Sequence, residues 1–144
     1  MSCWDTSALL KLYLSEIDSV SFVELASAVE HVTTSAIARY EAEAAFRRKE
    51  ADGALVTGDA ELFQQQFDAD IQSGAVKSVA LNPDVEREFS AVLTKCLSQS
   101  PPVFVRTNDA LHIATALAEG ETYFVTADVR QGLAAALMGM TVLT

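Results

Sequence analysis

Short strand-like runs alternate with helical stretches along this chain, and that alternation restricts the possible folds more than any other feature. Residues 2–4, 31–33, 77–81, 122–126 and 140–143 read as strands, the first running straight into Asp5. Residues 7–14, 19–28, 36–50, 57–73, 82–98, 109–119 and 129–138 carry apolar side chains near helical spacing. Val20, Val23 and Leu25 or Ala28 are expected on the inner side of the second helix. Ile37, Tyr40, Ala44 and Ala45 take that place on the third, and Leu62, Phe63, Phe67 and Ile71 on the fourth. Ser35, Thr57 or Asp59, and Asn108 or Thr107 are candidate N-caps, and Asn82-Pro83 opens a helix because proline suits a first turn. Gly53 and Gly120 lie just past helix ends. Strands alternating with helices predict an α/β fold with a mostly parallel sheet covered on both faces.

A length of 144 residues suits one compact domain, so a single domain over 1–144 is expected. Half the residues are apolar and 21% are charged, a globular composition. No apolar run reaches the roughly 18 residues of a membrane span. The start, Ser2-Cys3-Trp4-Asp5, lacks the basic and apolar regions of a secretory signal. Cys3 and Cys96 stand far apart and read as reduced, buried thiols in a cytoplasmic protein. The charge is unusual: ten Lys and Arg face twenty Asp and Glu, a net charge of −10. A passive nucleic-acid binder is ordinarily basic, since phosphate contacts supply much of its affinity. The bulk surface of this chain therefore does not attract RNA, and metal ions or a local basic patch must offset the repulsion if RNA is the ligand.

Four acids from distant stretches are predicted to share one edge. In a parallel βαβ arrangement the C-terminal ends of strands and the N-terminal ends of the following helices face the same way, and ligand sites form there. Asp5 ends the first strand, Glu41 lies in the second turn after the second strand, Asp109 starts a helix, and Asp128 follows the fourth strand. Carboxylates gathered in one place repel each other, and burial raises their pKa values, so a cation is expected among them. All-oxygen ligation suits Mg²⁺ or Mn²⁺, and no Cys/His spacing suggests zinc. Each acid also has a plainer reading. Asp5 is a favourable helix cap, Glu41 with Glu43 and Glu50 fits a solvated helix face, and Asp109 and Asp128 suit helix N-termini.

These residues carry a family resemblance. Asp5-Thr6-Ser7-Ala8-Leu9-Leu10-Lys11-Leu12-Tyr13 with Glu16 resembles the opening motif of PIN domains, particularly VapC-type toxins of bacterial toxin–antitoxin pairs. Thr34-Ser35-Ala36 followed by Glu41 resembles the second motif, Asp109-Ala110-Leu111-His112-Ile113-Ala114-Thr115-Ala116 the third, and Phe124-Val125-Thr126-Ala127-Asp128 the fourth. Each motif alone is weak, but the ordered set spans residues 5 to 128. The resemblance implies a three-layer α/β/α sandwich with sheet order 3-2-1-4-5. It implies endonucleolytic cleavage of RNA, with Asp5, Glu41, Asp109 and Asp128 as Mg²⁺ or Mn²⁺ ligands and Thr6 and Thr126 assisting. It also implies a cognate antitoxin, whose C-terminal segment lies across the acidic site, and a homodimer. After Asp128 this chain has Val129-Arg130-Gln131-Gly132, without the further acid that some members carry.

Other residues are read more plainly. His112, three positions after Asp109, is expected as a packed or polar supporting histidine rather than a metal ligand or general base. Lys11, Arg106 and Arg130 are read either as phosphate contacts near the acidic edge or as solvated surface cations. Arg47-Arg48-Lys49, the only basic run, is read either as an RNA contact or, more often for such runs, as an exposed helix face. The apolar excess of 7–14 and 19–28 fits a groove for a partner segment or burial under the next helix. The alternative to a nuclease is a catalytically weak PIN-fold binding module within a protein or RNA complex. A phosphatase that needs a second Asp two residues after the first is disfavoured, because that position is Ser7.

Overall fold

The computed structural model describes residues 2–144. The chain runs β1 (Ser2–Trp4), α1 (Thr6–Leu10), α2 (Ser19–Ser27), β2 (Val32–Ser35), α3 (Ile37–Ala51), α4 (Asp59–Ser73), β3 (Val76–Val79), α5 (Pro83–Leu97), α6 (Thr107–Ala118), β4 (Tyr123–Val125), α7 (Val129–Leu137) and β5 (Thr141–Leu143). The strands form one parallel sheet in the order β3-β2-β1-β4-β5. Its register places Lys77, Thr33, Cys3, Phe124 and Val142 in one row across the sheet.

The strands are only three or four residues long, so the period-two alternation of side chains decides the layering directly. Cys3 and Phe124 point to one face, where they pack with Val92 and Cys96 of α5, Ala110, Ile113 and Ala116 of α6, and Ala134 and Ala135 of α7. Trp4 and Val125 point to the other, where they meet Ala8 and Leu9 of α1, Phe22 of α2, Phe46 of α3 and Phe67 of α4. The result is a three-layer α/β/α sandwich with helices on both faces of the sheet. Both cysteines are buried and unpaired. No helix among the described residues is long and apolar enough to cross a membrane.

Several local expectations are corrected. The first helix stops at Leu10, and residues 11–14 turn away from it. In α2 the inner pair is Ser19 and Phe22, while Val20 and Val23 are exposed. Phe22 sets that orientation by meeting the Trp4 ring edge-on at 6.2 Å, which turns Val23 about 100° and Val20 about 160° around the helix from the inner side. In α3 the inner row is Ala38, Ala42 and Phe46, and Tyr40 is exposed. Ser35 remains in β2, and Ala36 occupies the cap position of α3. Gly58, at φ +98°, opens α4 in place of Thr57 or Asp59. Arg106 rather than Thr107 or Asn108 caps α6. Asn82 does cap α5, its side chain accepting from the Val85 N–H at 3.0 Å.

Candidate functional site

Asp5 leaves β1 at the carboxyl edge of the sheet and is buried. Its backbone N–H donates to Val125 O at 3.1 Å, which ties the turn after β1 to β4. Its Oδ1 accepts from the Ala8 N–H at 2.9 Å and from the Ser7 hydroxyl at 2.7 Å. Its Oδ2 accepts from the Thr126 hydroxyl. The capping reading of Asp5 is therefore true, and the same carboxylate also reaches across the sheet. Burial raises its pKa, against the opposing pull of these donors.

Thr126 and Ser7 bind the first and last acidic segments together. The Thr126 Oγ1 that donates to Asp5 also accepts from the Asp128 N–H at 2.9 Å. The Ser7 Oγ accepts from the Ala127 N–H at 2.9 Å. Asp128 caps α7, its Oδ1 taking the N–H groups of Arg130 at 2.8 Å and Gln131 at 3.3 Å. The cap reading thus holds for Asp128 as well, with the carboxylate on the dipole-favoured end of α7.

Glu41 is not on a solvated face. Its Oε1 accepts from Thr6 Oγ1 at 2.8 Å and lies 2.6 Å from His112 Nε2, and its Oε2 accepts from Asn108 Nδ2 at 3.4 Å. Burial pushes this carboxyl up, but the His112, Thr6 and Asn108 contacts outweigh it and leave the group below its ordinary value. His112 is itself buried, and its Nδ1 has no partner among the described residues. It supports Glu41, as the sequence reading of a polar supporting histidine expects. Asp109 begins the exposed end of α6 beside Arg106, at 3.6 Å. Its carboxyl is raised by burial, with Arg106 opposing and the charges of Asp128 and Glu41 adding to the rise. Gln131 Nε2 donates to the Asp109 backbone O at 3.3 Å, linking α7 to α6.

The edge opens into a cleft of about 390 Å³ lined by Phe104, Val105, Arg106, Asp109, Arg130 and Gln131. Two of the three cations expected near phosphate, Arg106 and Arg130, are there. Lys11 is instead held by Glu16 and Asp18, each at 2.9 Å.

A hard divalent ion suits the donor set, which is four carboxylates with no thiolate. The Asp109 carboxyl is raised chiefly by burial, and the nearby charges of Asp128 and Glu41 add a repulsion that a cation would relieve. The side chains do not form a finished coordination shell: among the described residues no three His, Cys, Asp or Glu lie close enough together to hold a metal. The hydroxyl and amide donors around Asp5, Glu41 and Asp128 occupy the oxygens that a metal would take.

Sequence reading alone did not single out Ser7 and Asn108 as parts of this edge. Ser7 carried a signal, a hydroxyl two residues after a capping Asp. Asn108 carried none, because its partner lies 67 residues away.

The family model of the PIN domain matches residues 3–137. No curated protein matches the chain. Among solved structures, VapBC2 from Rickettsia felis bound to a promoter DNA fragment aligns at 14% identity and a TM-score of 0.70, covering 99% of this chain and 96% of that one. FitAcB from Neisseria gonorrhoeae aligns at 14% identity and 0.70, covering 100% and 97%. Mycobacterium tuberculosis VapC20, a sarcin–ricin loop cleaving toxin, aligns at 18% identity and 0.69, covering 93% and 95%. At these identities the likeness is one of fold.

Proposed function

The chain belongs to the PIN-domain family, and on that premise we propose that it is a divalent-metal-dependent endoribonuclease, the toxin of a VapBC-type toxin–antitoxin pair. The observation that carries this reading is the approach of Glu41 and Asp128 to Asp109, whose carboxyl is raised first by its own burial and then by those two charges, with Asp5 tied to the Asp128 segment through Thr126. A fold gains nothing from uncompensated charge of this kind. Asp5, Glu41, Asp109 and Asp128 would hold Mg²⁺ or Mn²⁺, which supplies charge neutralisation at the scissile phosphate and acidification of a water.

The chain's own residues prepare that site. Thr126 and Ser7 hold Asp5 in one orientation, and Thr6 and His112 do the same for Glu41. Donors of this kind fix a ligand's rotamer before any ion or substrate arrives. We take residues 1–144 as one catalytic domain acting in the cytoplasm, as a homodimer, on an RNA substrate. A cognate antitoxin would bind across the acidic edge; the kinship of fold with VapBC and other toxin–antitoxin complexes supports that partner.

The test is cleavage of single-stranded RNA by the purified protein with Mg²⁺ or Mn²⁺, compared with EDTA. Asp5→Asn and Asp109→Asn should each lower the rate by at least about the 100-fold that loss of an outer partner of a metal ligand costs, with folding intact. The incomplete coordination shell is the observation that favours the rival, a binding module without catalysis. An intact fold that cuts no RNA under any divalent ion would establish that rival.

A further inference from the structure

Phe104 is the least explained side chain near the acidic edge. It sits in the extended run between α5 and α6, where neighbouring side chains alternate in direction. Val103 and Val105 turn inward and pack against the cluster that contains Cys96 and Ile113. The Val103 N–H donates to Cys96 O at 2.9 Å. Anchored on both sides, Phe104 is held outward and is 83% exposed, at the wall of the cleft that reaches Asp109. The fold derives nothing from an aromatic ring left in water.

The charges beside it are equally uneven. Among the described residues Lys11, Arg39, Lys77 and Arg87 are each paired with an acid elsewhere on the surface. Arg106 and Arg130 both line the Phe104 cleft instead; Arg106 reaches only the acid of the site itself, and among the described residues Arg130, like Arg48, Lys49 and Lys95, has no ion pair, but it alone of these stands beside Asp109. In a chain of net charge −10, a cleft with two guanidinium groups is a local exception. It answers the repulsion that the overall charge imposes on RNA, because guanidinium groups pair with phosphate in a planar fork.

We propose that this cleft is a nucleotide subsite for single-stranded RNA, in which a base stacks on Phe104 and the neighbouring phosphates meet Arg106 and Arg130. The proposal rests on the nuclease reading and deepens it by naming where the strand beside the scissile bond is held. Stacking on an exposed ring is tolerant of base identity, so the subsite grips the strand without reading its sequence. A duplex, whose bases are already stacked on one another, would not enter it.

The experiment measures binding of a short fluorescein-labelled oligoribonucleotide, and of the same strand with an abasic position, to Asp5→Asn protein, in which cleavage is blocked. In that background Phe104→Ala should weaken binding of the intact strand about tenfold. It should leave the abasic strand unchanged, and Phe104→Trp should restore affinity. Arg106→Gln and Arg130→Gln should each reduce the slope of log affinity against log salt by about 0.7. Thermal melting of each variant should match the parent, since these side chains lie at the surface.

Phe104→Ala protein that binds the intact strand like its parent overturns the subsite. So does a variant that loses only a co-encoded partner protein, which would make the cleft a protein-docking surface. The two readings fail separately: wild-type protein that cleaves RNA, with binding indifferent to Phe104, sinks the subsite alone. Phe104-dependent binding without any cleavage by wild type sinks the nuclease alone.

Discussion

Carboxylates in two regions of this molecule are treated in opposite ways. On the flank built by α1 to α4, acids meet cations or a phenol: Lys11 with Glu16 and Asp18, Arg39 with Asp68 and Glu43, and the Tyr13 hydroxyl donating to Asp70 at 2.6 Å. Tyr13 also stands edge-on to Phe46 and Phe67, with centroids 6.2 and 5.5 Å away. At the carboxyl edge of the sheet, Asp5 and Asp128 are held by hydroxyl and backbone donors, Glu41 by Thr6, Asn108 and the His112 ring, and Asp109 has Arg106 beside it at 3.6 Å. Compensated charge on the first region serves stability. On the second, hydroxyls fix the geometry of the acids without neutralising them, which leaves their charge available to a ligand.

That contrast can be broken from either side. The largest expected effect is Phe67→Ala, which empties a fully buried ring from the flank and should cost about 3–5 kcal/mol in chemical denaturation. Per folded molecule, RNA cleavage should be unchanged, because no acid of the edge leans on that ring. A cleavage rate that falls in step with stability would show that the two regions are one mechanical unit.

Thr126→Val is next. It keeps the shape but removes the hydroxyl shared by Asp5 and Asp128. Cleavage should drop by about 10–100-fold, and stability should fall by about 1–3 kcal/mol because a buried carboxylate loses a donor. A variant that cleaves at the wild-type rate would show that Asp5 does not need that bond to keep its orientation.

Divalent ions should reveal the uncompensated edge calorimetrically. Mn²⁺ or Mg²⁺ at tenfold its dissociation constant should stabilise the wild type by about 1.4 kcal/mol, an effect reversed by EDTA and lost in Asp109→Asn. Equal stabilisation of wild type and variant would place the ion elsewhere.

The smallest effect is the effect of pH on Asp109. Its folded carboxyl titrates above the ordinary carboxylate value. The ionised form therefore costs stability at neutral pH, and the cost disappears as pH falls below the unfolded value. Without divalent ions, Asp109→Asn should be more stable than wild type by a few tenths of a kcal/mol at about pH 7, a figure kept small because solvent screens this half-exposed group. The difference should vanish by about pH 3. Wild type that is the more stable of the two at neutral pH would mean that its bond to Arg106 outweighs the burial of the charge.

Much of the site was legible in the sequence because its acids close local motifs. Asp5 and Asp128 follow strands and cap the next helices, so short-range signals that mark helix starts also mark them. Glu41 was ambiguous, since one acid on an amphipathic helix with acidic neighbours looks like another until the opposite surface is known. The inner faces of α2 and α3 were misjudged for a related reason. Val20, Val23 and Tyr40 are apolar enough for a core, but Phe22 and the small Ala38 and Ala42 fit the sheet more closely.

The order of the elements, their parallel arrangement and the edge to which four acids belong were determined by the sequence itself, because periodicity, capping and strand–helix alternation act over a few residues. The tertiary structure decided which hydroxyl serves which acid, and why Phe104 is left in water. Thr6 meets Glu41 across 35 residues, His112 meets it across 71, and Thr126 meets Asp5 across 121. Bonds over such separations exist only after the sheet has closed and both hydrophobic layers have packed, so no local pattern can encode them.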